Sequence, residues 1–428
     1  MKRTIYHKLI EWKLSEDRKP LILNGARQVG KTYILKEFGE NEYAKVAYFT
    51  LDRDDKARSV FERNTNTSSI ILALSAISGI NITPEDTLIV LDEIQECPRA
   101  LESLKFFCES ANDYHIVVAG SLLGLSLHEN ASFPVGKVQM LRIFPMNYEE
   151  FLMALGKEKM VDILRSKDYG LIATLSESYK ECLRQYYFVG GMPEAVSAFV
   201  NGKGLNDVRN IQQQILFDYQ RDFSKHAPIS QIPRINMVWN SIPSQLAKEN
   251  KKFLYGSLKK GARASEFEIA IQWLIDTGLI YKVNRVKEPK MPLKFYEDFS
   301  AFKLFMLDVG LMGAMVDAPT DAILIGDNIF SEYKGAFTEL YVHNELVSRG
   351  YTLFYHSVDN STIEIDFMLQ MDSRVLPVEV KAEQNVKSKS LRTFINNNPE
   401  LKGVRFSMKD YVDQGWMENI PLYLAAFF

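Results

Sequence analysis

The first 150 residues alternate short apolar runs with longer amphipathic segments. Five runs have the length and the β-branched content of strands: PLILNG, KVAYFTL, DTLIVLDE, YHIVVAGS and VQMLRIF, which start at Pro20, Lys45, Asp86, Tyr114 and Val138. Runs that are apolar on both faces are typical of strands buried between layers of helices. Their alternation with helical segments predicts an α/β domain built on a parallel sheet.

The pattern becomes helical and mostly polar from about 148 to 230, with an interruption at FVGGMPEA. Helical periodicity recurs from about 231 to 286, and Gly278 is suited to the left-handed cap that ends a helix before a strand. From about Met291 the runs LKFYED and KLFMLD predict strands, and GAFTELYVHNEL predicts a helix.

The stretch IEIDFMLQMDSRVLPVEVKA predicts a hairpin, because two alternating runs flank a polar centre just after Asp372. In that register Asp366 lies opposite Glu379, and Glu364 lies opposite Lys381. Directly opposed carboxylates destabilise a sheet, so the acidic pair needs an explanation. A three-residue loop would shift the register by one and place the acids on opposite faces.

Composition narrows the class of protein. A chain of 428 residues with 46% hydrophobic and 25% charged residues is predicted to be globular, with two or three domains. The net charge of -3 gives no overall bias toward nucleic acid, so such a contact requires a local patch. The three cysteines form no CxxC pair, which favours a reducing cytoplasm. The run from Ser68 to Ile80 is too short to span a bilayer, so we expect a buried helix and no membrane partner.

The segment GARQVGKT matches G-x-x-x-x-G-K-[ST] and lies between an apolar strand and a helix. In such a P-loop, glycines let successive N–H groups face phosphate oxygens, and the helix adds its dipole. Lys31 is predicted to reach the β- and γ-phosphates of ATP, and Thr32 to bind Mg²⁺. The nucleotide-binding candidates are Gly25, Ala26, Arg27, Gln28, Val29, Gly30, Lys31 and Thr32.

A second acidic element follows the P-loop. The strand LIVLDE ends in Asp92 and Glu93. Asp92 is predicted to hold Mg²⁺ through water, and Glu93 to orient and polarise the attacking water. Ser121 ends the next strand and is a candidate sensor of the γ-phosphate, with a helix N-cap for LLGLSL as the alternative. The catalytic candidates are therefore Lys31, Glu93 and Ser121, with ATP and Mg²⁺ as cofactors.

These motifs, together with FPMNYEEFL, FVGGMPEAV, DYQRDFSKH and FKLFMLDVGLM, resemble the prokaryotic AAA-type ATPases that carry a C-terminal domain of unknown function. The resemblance covers nearly the whole chain and implies ATP binding and hydrolysis. Members often have Gly-Arg where this chain has Gly136-Lys137, and lysine lacks the planar two-donor fork of arginine. Arg142 and Arg221 are therefore candidates for an arginine finger, which neighbouring subunits of an oligomer often supply. Ordinary surface ion pairs are the alternative for both.

The segment from Ser241 to Val283 predicts a helix, a basic turn, a helix and a strand, an order that resembles a winged helix. Such a basic patch can neutralise phosphates, so DNA is a candidate partner. The alternative is a solvated face on a connector between domains. The basic residues are Lys248, Lys251, Lys252, Lys259, Lys260 and Arg263.

The motifs TEL, EID and EVK, in this order, resemble the PD-(D/E)xK nuclease core, a restriction-endonuclease-like α/β fold. The resemblance implies that Glu339, Asp366 and Glu379 surround a Mg²⁺ ion, and that Lys381 stabilises developing charge. A shared metal would remove the repulsion between the two opposed acids. The alternative is that Glu364 pairs with Lys381 and that lysine neutralises the acids without metal.

The fold prediction is a P-loop NTPase parallel sheet in 1–150, a helical lid in 151–230, a winged-helix-like domain in 231–290 and a nuclease-like α/β domain in 291–428. The main functional hypothesis is a Mg-dependent ATPase that couples nucleotide binding or hydrolysis to nucleic-acid or partner binding. One alternative is a nucleotide-loaded switch or scaffold with negligible turnover that recruits a protein partner. The other is an ATP-regulated, Mg-dependent DNA nuclease.

Overall fold

The computed structural model describes residues 1–121, 133–248, 251–319, 331–358, 363–371, 373–382 and 388–428. These residues form two compact units. The first comprises Lys2–Phe144 with Asp276–Gly278, and the second comprises Pro145–Ile275 and Leu279–Phe428 together with Met1. The finer division into four segments stays a prediction.

The first unit is an α/β domain with a parallel sheet, as predicted. Its strands are β1 (Leu21–Gly25), β2 (Lys45–Thr50), β3 (Thr87–Asp92), β4 (His115–Ser121) and β5 (Gln139–Arg142). Their spatial order is β2-β3-β4-β1-β5, and each neighbouring pair is parallel. The helices are α1 (Ile5–Leu14), α2 (Lys31–Glu42), α3 (Asp55–Arg63), α4 (Thr67–Ser78) and α5 (Pro98–Ser110).

The core of this unit forms because the central strands are apolar on both faces. Every residue of β1 and β3 is buried. Ile22 and Ile89 from the sheet share one core cluster with Leu104 of α5 and Leu74 of α4. Since parallel strands all end at the same edge, this packing brings the carboxyl ends of β1 and β3 together.

The second unit contains an eight-stranded sheet with the order β12-β13-β11-β10-β9-β8-β6-β7. Its strands are β6 (Ile280–Val286), β7 (Glu297–Met306), β8 (Phe354–Ser357), β9 (Glu364–Met371), β10 (Arg374–Val380), β11 (Gly403–Ser407), β12 (Val412–Asp413) and β13 (Met417–Pro421). Its helices are α6 (Tyr148–Ala154), α7 (Glu158–Ser166), α8 (Tyr169–Thr174), α9 (Ser176–Val189), α10 (Pro193–Val200), α11 (Leu205–His226), α12 (Ile232–Leu246), α13 (Ala264–Asp276), α14 (Val309–Met315), α15 (Ser331–Ser348) and α16 (Lys389–Asn397). No helix in the described ranges is long and apolar enough to cross a membrane.

One strand prediction needs correction. Residues Leu293–Tyr296 form a 3-10 helix, and the strand β7 begins only at Glu297. The winged helix is not confirmed either. The predicted order of helix, helix and strand is present, but β6 pairs with β8 in parallel and with β7 antiparallel. Strands β6 and β7 therefore belong to the large sheet, in which β6 lies beside β8.

The β9–β10 hairpin has the predicted register. Met371 pairs with Arg374, and Phe367 pairs with Val378. One further step in this register places Asp366 opposite Glu379. The acidic pair inferred from the alternation is therefore a feature of the folded sheet.

Two of the sequence motifs meet at a buried aspartate. Asp308, in LDVGLM, accepts hydrogen bonds from the N–H groups of Gly191 at 2.6 Å and Leu311 at 2.8 Å. Burial raises the pKa of Asp308 to about 6, although these backbone donors oppose the shift. The carboxylate thus joins the GGMPEA turn to the start of α14.

Candidate nucleotide-binding site and C-terminal carboxylate cluster

The P-loop connects the end of β1 to the start of α2, as its motif predicts. A Cβ atom on Gly25 would lie 2.4 Å from the carbonyl oxygen of Ile143, so only glycine fits there. Gly30 has φ of 94°, a left-handed conformation that glycine adopts without strain. Both glycines of the motif are therefore required by the local backbone.

Lys31 is the first residue of α2, and its ammonium group lies inside the loop. Its Nζ donates to the carbonyl oxygens of Gly25 at 3.0 Å and Ala26 at 2.7 Å. Burial lowers the pKa of Lys31 to about 8, and the carboxylates of Glu93 and Asp92 oppose that shift. An anion bound at the loop would stabilise this ammonium further.

Asp92 connects the end of β3 to the P-loop. Its Oδ2 accepts a hydrogen bond from Thr32 Oγ1 at 2.7 Å, and its Oδ1 accepts one from the N–H of Glu93 at 3.0 Å. Tyr48 also donates its hydroxyl proton to Oδ2. The structure thus brings Thr32 and Asp92 together, and a hydroxyl beside a carboxylate suits Mg²⁺.

Tyr48 was not identified from the sequence. It lies on β2, and its hydroxyl reaches Asp92 only because β2 and β3 are neighbours in the sheet. Burial and the hydrogen bond to Asp92 raise the pKa of Tyr48. No local signal marks this residue, since the neighbour relation arises from the topology.

Glu93 has an unusual backbone conformation directly after the buried strand. Its φ of 55° and ψ of 47° are left-handed, which costs a residue with a side chain about 1–3 kcal/mol. The side-chain amide of Gln95 donates to Glu93 Oε2. A strained backbone and a bound carboxylate fix the direction of this side chain.

Ser121 is the last residue of β4 and pairs with Gly25 in the sheet register. Its backbone therefore lies beside the start of the P-loop, and the sensor role stays a prediction. The segment LLGLSL, for which Ser121 was the alternative N-cap, lies outside the described residues.

Arg3 also contacts the P-loop, and it was not identified from the sequence. Its guanidinium is buried and donates to the carbonyl oxygens of Val29 at 2.9 Å and Phe144 at 2.6 Å. Arg3 thereby links the P-loop to Phe144, which follows β5 in the first unit. An isolated arginine near the start of a chain carries no sequence signal for this contact.

The positions considered for an arginine finger have local contacts. Lys137 Nζ lies 2.9 Å from Glu109 Oε1 at the surface, which is an ordinary ion pair. The guanidinium of Arg142 lies 5.1 Å from the ring centroid of Phe144, and that of Arg221 lies 5.9 Å from the ring of Phe217. Both arginines are exposed and remain candidates.

The basic patch is smaller than predicted, because Lys251 is not part of it. Its Nζ is paired with Glu339 and lies 4.0 Å from Asp366 Oδ1. Lys248 donates to Ser257 Oγ at 2.8 Å. Four members are exposed to solvent: Lys248, Lys259, Lys260 and Arg263.

The C-terminal acids form a cluster with buried lysines. Glu339 is 1% exposed, and its Oε1 lies 3.1 Å from Nζ of Lys303. Lys303 also lies 2.7 Å from Glu364 Oε1, so Glu364 pairs with Lys303. Burial raises the pKa of Glu339, but Lys251 and Lys303 outweigh it and hold that pKa below its usual value.

Lys303 and the pairing role of Lys251 were both missed. Lys303 is the single charge in the apolar run FKLFML, and an isolated charge in a strand of that kind indicates a buried ionic partner. That signal was available from the sequence. Lys251 lies among other lysines in the sequence, and that pattern instead indicated a solvated or phosphate-binding face.

Glu379 and Lys381 form the second part of the cluster. Lys381 Nζ lies 3.4 Å from Glu379 Oε1. Burial raises the pKa of Glu379, against the effect of Lys381. Asp366 turns toward β10 and accepts the N–H of Val380 at 2.8 Å. Within the described ranges, no group of three or more His, Cys, Asp or Glu side chains is placed to hold a metal ion.

Three protein families match parts of the chain, and one of them covers most of the first unit. Residues 17–152 match the family described as an AAA domain. Residues 180–322 match a domain of unknown function, DUF8612, and residues 334–424 match another, DUF4143. No curated protein matches the chain. The match and the P-loop geometry support an AAA-type ATPase domain.

Solved structures with similar folds include a Walker-type ATPase of Pyrococcus abyssi, at 12% identity, TM-score 0.45 and coverage of 74% of this chain and 95% of that chain. Aeropyrum pernix Orc1 in complex with DNA has 12% identity, TM-score 0.27 and coverage of 75% and 92%. Pyrobaculum aerophilum Cdc6p has 12% identity, TM-score 0.28 and coverage of 74% and 94%. These scores are too low to carry a functional argument.

Proposed function

We propose that the protein binds Mg²⁺–ATP at Gly25–Thr32 and hydrolyses it. The observation that carries the proposal is the hydrogen bond of 2.7 Å between Thr32 and Asp92, beside the ammonium of Lys31 inside the loop. A P-loop and an acidic strand end that meet in this way suit a phosphate-bound magnesium ion. Residues 17–152, which match an AAA domain, contain the whole arrangement.

Each residue has a distinct role in this proposal. The ammonium of Lys31 and the N–H groups of the loop bind phosphate oxygens. Thr32 and Asp92 would hold Mg²⁺, which supplies positive charge to the transferred phosphoryl group when bound. Glu93 orients and polarises the attacking water, and Ser121 is the candidate sensor beside Gly25.

The test is steady-state ATP turnover by the full chain. Lys31→Ala and Glu93→Gln are expected to reduce kcat at least a hundredfold, whereas Lys8→Ala, an exposed lysine on α1, leaves it unchanged. Nucleotide binding should be lost with Lys31→Ala and retained with Glu93→Gln. Unchanged turnover in Lys31→Ala would refute the proposal.

The switch or scaffold alternative is favoured by one observation. Lys137 occupies the Gly-Arg position and is paired with Glu109, so a finger at this position is lacking. A switch would retain one nucleotide per chain without steady turnover. The ATPase proposal instead requires repeated release of phosphate, so a phosphate-release assay separates the two.

We also propose DNA as the partner of the exposed group Lys259, Lys260 and Arg263. Three cations on one short segment can neutralise phosphates without base recognition. Lys259→Glu/Lys260→Glu should reduce binding of duplex DNA and any DNA-stimulated ATP turnover. The matched control is Lys203→Glu/Lys225→Glu, which changes two exposed lysines elsewhere. Equal binding by both double variants would remove DNA from the proposal. A cytoplasmic location and an oligomeric state remain predictions.

A further inference from the structure

The C-terminal carboxylates converge where the nuclease resemblance expects Mg²⁺, but two ammonium groups lie among them. Lys303 Nζ lies 3.1 Å from Glu339 Oε1 and 2.7 Å from Glu364 Oε1. Lys251 Nζ pairs with the other oxygen of Glu339 and lies 4.0 Å from Asp366. Together the two lysines carry the charge of +2 that a divalent cation would bring.

Lys303 is held permanently in this position. It lies in the middle of β7, it is 0% exposed, and its backbone pairs with Val283 of β6. Its ammonium also lies 4.9 Å from the ring centroid of Tyr355. A strand residue with these contacts has no route to solvent, so its charge stays inside the cluster in the folded protein.

Lys251 is anchored by its neighbours rather than by a regular element. The N–H of Phe253 donates to the carbonyl oxygen of Phe302 at 2.7 Å, and the two rings stack with centroids 5.4 Å apart. The N–H of Leu254 donates to Gln245 Oε1 at 2.6 Å. These contacts fix the segment beside β7 and direct Lys251 at Glu339 and Asp366.

Mg²⁺ requires near-octahedral oxygen ligands at about 2.0–2.1 Å. Both oxygens of Glu339 already contact lysines, and Glu364 contacts Lys303. Asp366 is bound to the N–H of Val380. Glu379 Oε2 is buried without a hydrogen-bond partner among the described residues, but these acids are not placed together to hold a metal ion.

We propose that Lys251 and Lys303 are built-in cations that replace the divalent metal, so that the cluster fastens the 251–254 segment and α15 to the large sheet without metal. Removal of one buried partner leaves an unpaired charge, which is far more costly than loss of the pair. The cluster is thus an ionic lock, and the hairpin acids Asp366 and Glu379 are neutralised by lysines.

The first test counts bound metal by electron paramagnetic resonance of Mn²⁺, with the nucleotide-free full chain. Asp366→Asn and Glu379→Gln keep the side-chain shapes and leave the P-loop intact, so the ATP site contributes equally to all samples. The proposal expects equal Mn²⁺ stoichiometry in wild type and both variants. One additional Mn²⁺ ion in the wild type, lost in both variants, would overturn it.

The second test measures thermal unfolding. Lys303→Met should lower Tm by about 10 °C, because it removes the buried ammonium that pairs with both Glu339 and Glu364. Addition of Glu339→Gln to that variant should recover a substantial part of the loss, since it removes one uncompensated charge. An unchanged Tm in Lys303→Met would overturn the lock. The Mn²⁺ count remains decisive if the variant fails to fold.

Discussion

Tyr48 donates a hydrogen bond to Oδ2 of Asp92, the same oxygen that accepts from Thr32 at 2.7 Å. The carboxylate is thus held between a strand and the P-loop before any metal binds. Residues that orient a metal-binding carboxylate influence metal affinity although they do not touch the metal. Tyr48 is therefore a positioning residue for the proposed magnesium site.

Tyr48→Phe removes this donor and keeps the ring. We expect the Mg²⁺ concentration for half-maximal ATP turnover to rise about tenfold, with a smaller change in kcat at saturating Mg²⁺. A titration of turnover against Mg²⁺ measures both quantities. Tyr114→Phe, directly before the start of β4, is the control and should behave like wild type. Equal Mg²⁺ curves for Tyr48→Phe and wild type would exclude the positioning role.

Arg3 offers a second test of the P-loop support. Arg3→Met leaves the buried carbonyl oxygens of Val29 and Phe144 without this donor, so the free energy of unfolding should fall by about 2–3 kcal/mol. KM for ATP should also rise, because Val29 lies within the loop. Urea unfolding and ATP kinetics measure the two effects. Lys8→Met is the control, and a variant with wild-type stability would contradict the assignment.

The strands and helices of the first unit could be predicted from the sequence, because the patterns that indicate them lie within each element. An apolar run such as TLIVLD predicts a buried strand without knowledge of its neighbours, and the P-loop motif needs only its own strand and helix. Tyr48 and Arg3 were not accessible, since their contacts join elements that are distant along the chain. The hairpin register followed from alternation, and Lys381 lies beside Glu379 within the same stretch. The lysines nearest Glu364 and Asp366, however, are Lys303 of β7 and Lys251, outside the hairpin.

A substitution of Lys137 tests whether the lysine at the Gly-Arg position contributes to ATP turnover. Its ammonium forms a surface pair with Glu109 at 2.9 Å, and such pairs contribute little. Lys137→Ala should therefore leave kcat within about twofold of wild type, whereas loss of an arginine finger costs roughly 10³–10⁵-fold. Steady-state turnover at saturating ATP provides the measurement. A hundredfold loss would give Lys137 a catalytic role and would count against the ion-pair assignment.

Glu345 predicts a pH dependence of stability in the second unit. It lies on α15, is buried, and accepts the N–H of Tyr148 at 2.9 Å through Oε1. Burial raises the pKa of Glu345 to about 8, against the effect of that backbone donor. The unfolded carboxyl ionises near its ordinary value of about 4.3, so between that pH and 8 the folded state binds the extra proton.

The raised pKa of Glu345 therefore does not lower the free energy of unfolding below about pH 4.3. That free energy falls as the pH rises from about 4.3 to about 8. Glu345→Gln keeps a neutral side chain at every pH. Relative to wild type, it should become progressively more stable from about pH 5 to pH 8, by several kcal/mol (about 4) in total. Urea unfolding of both proteins across this range measures the difference. A difference independent of pH would mean that Glu345 is ionised in the folded protein, and that an unrecognised cation compensates its charge.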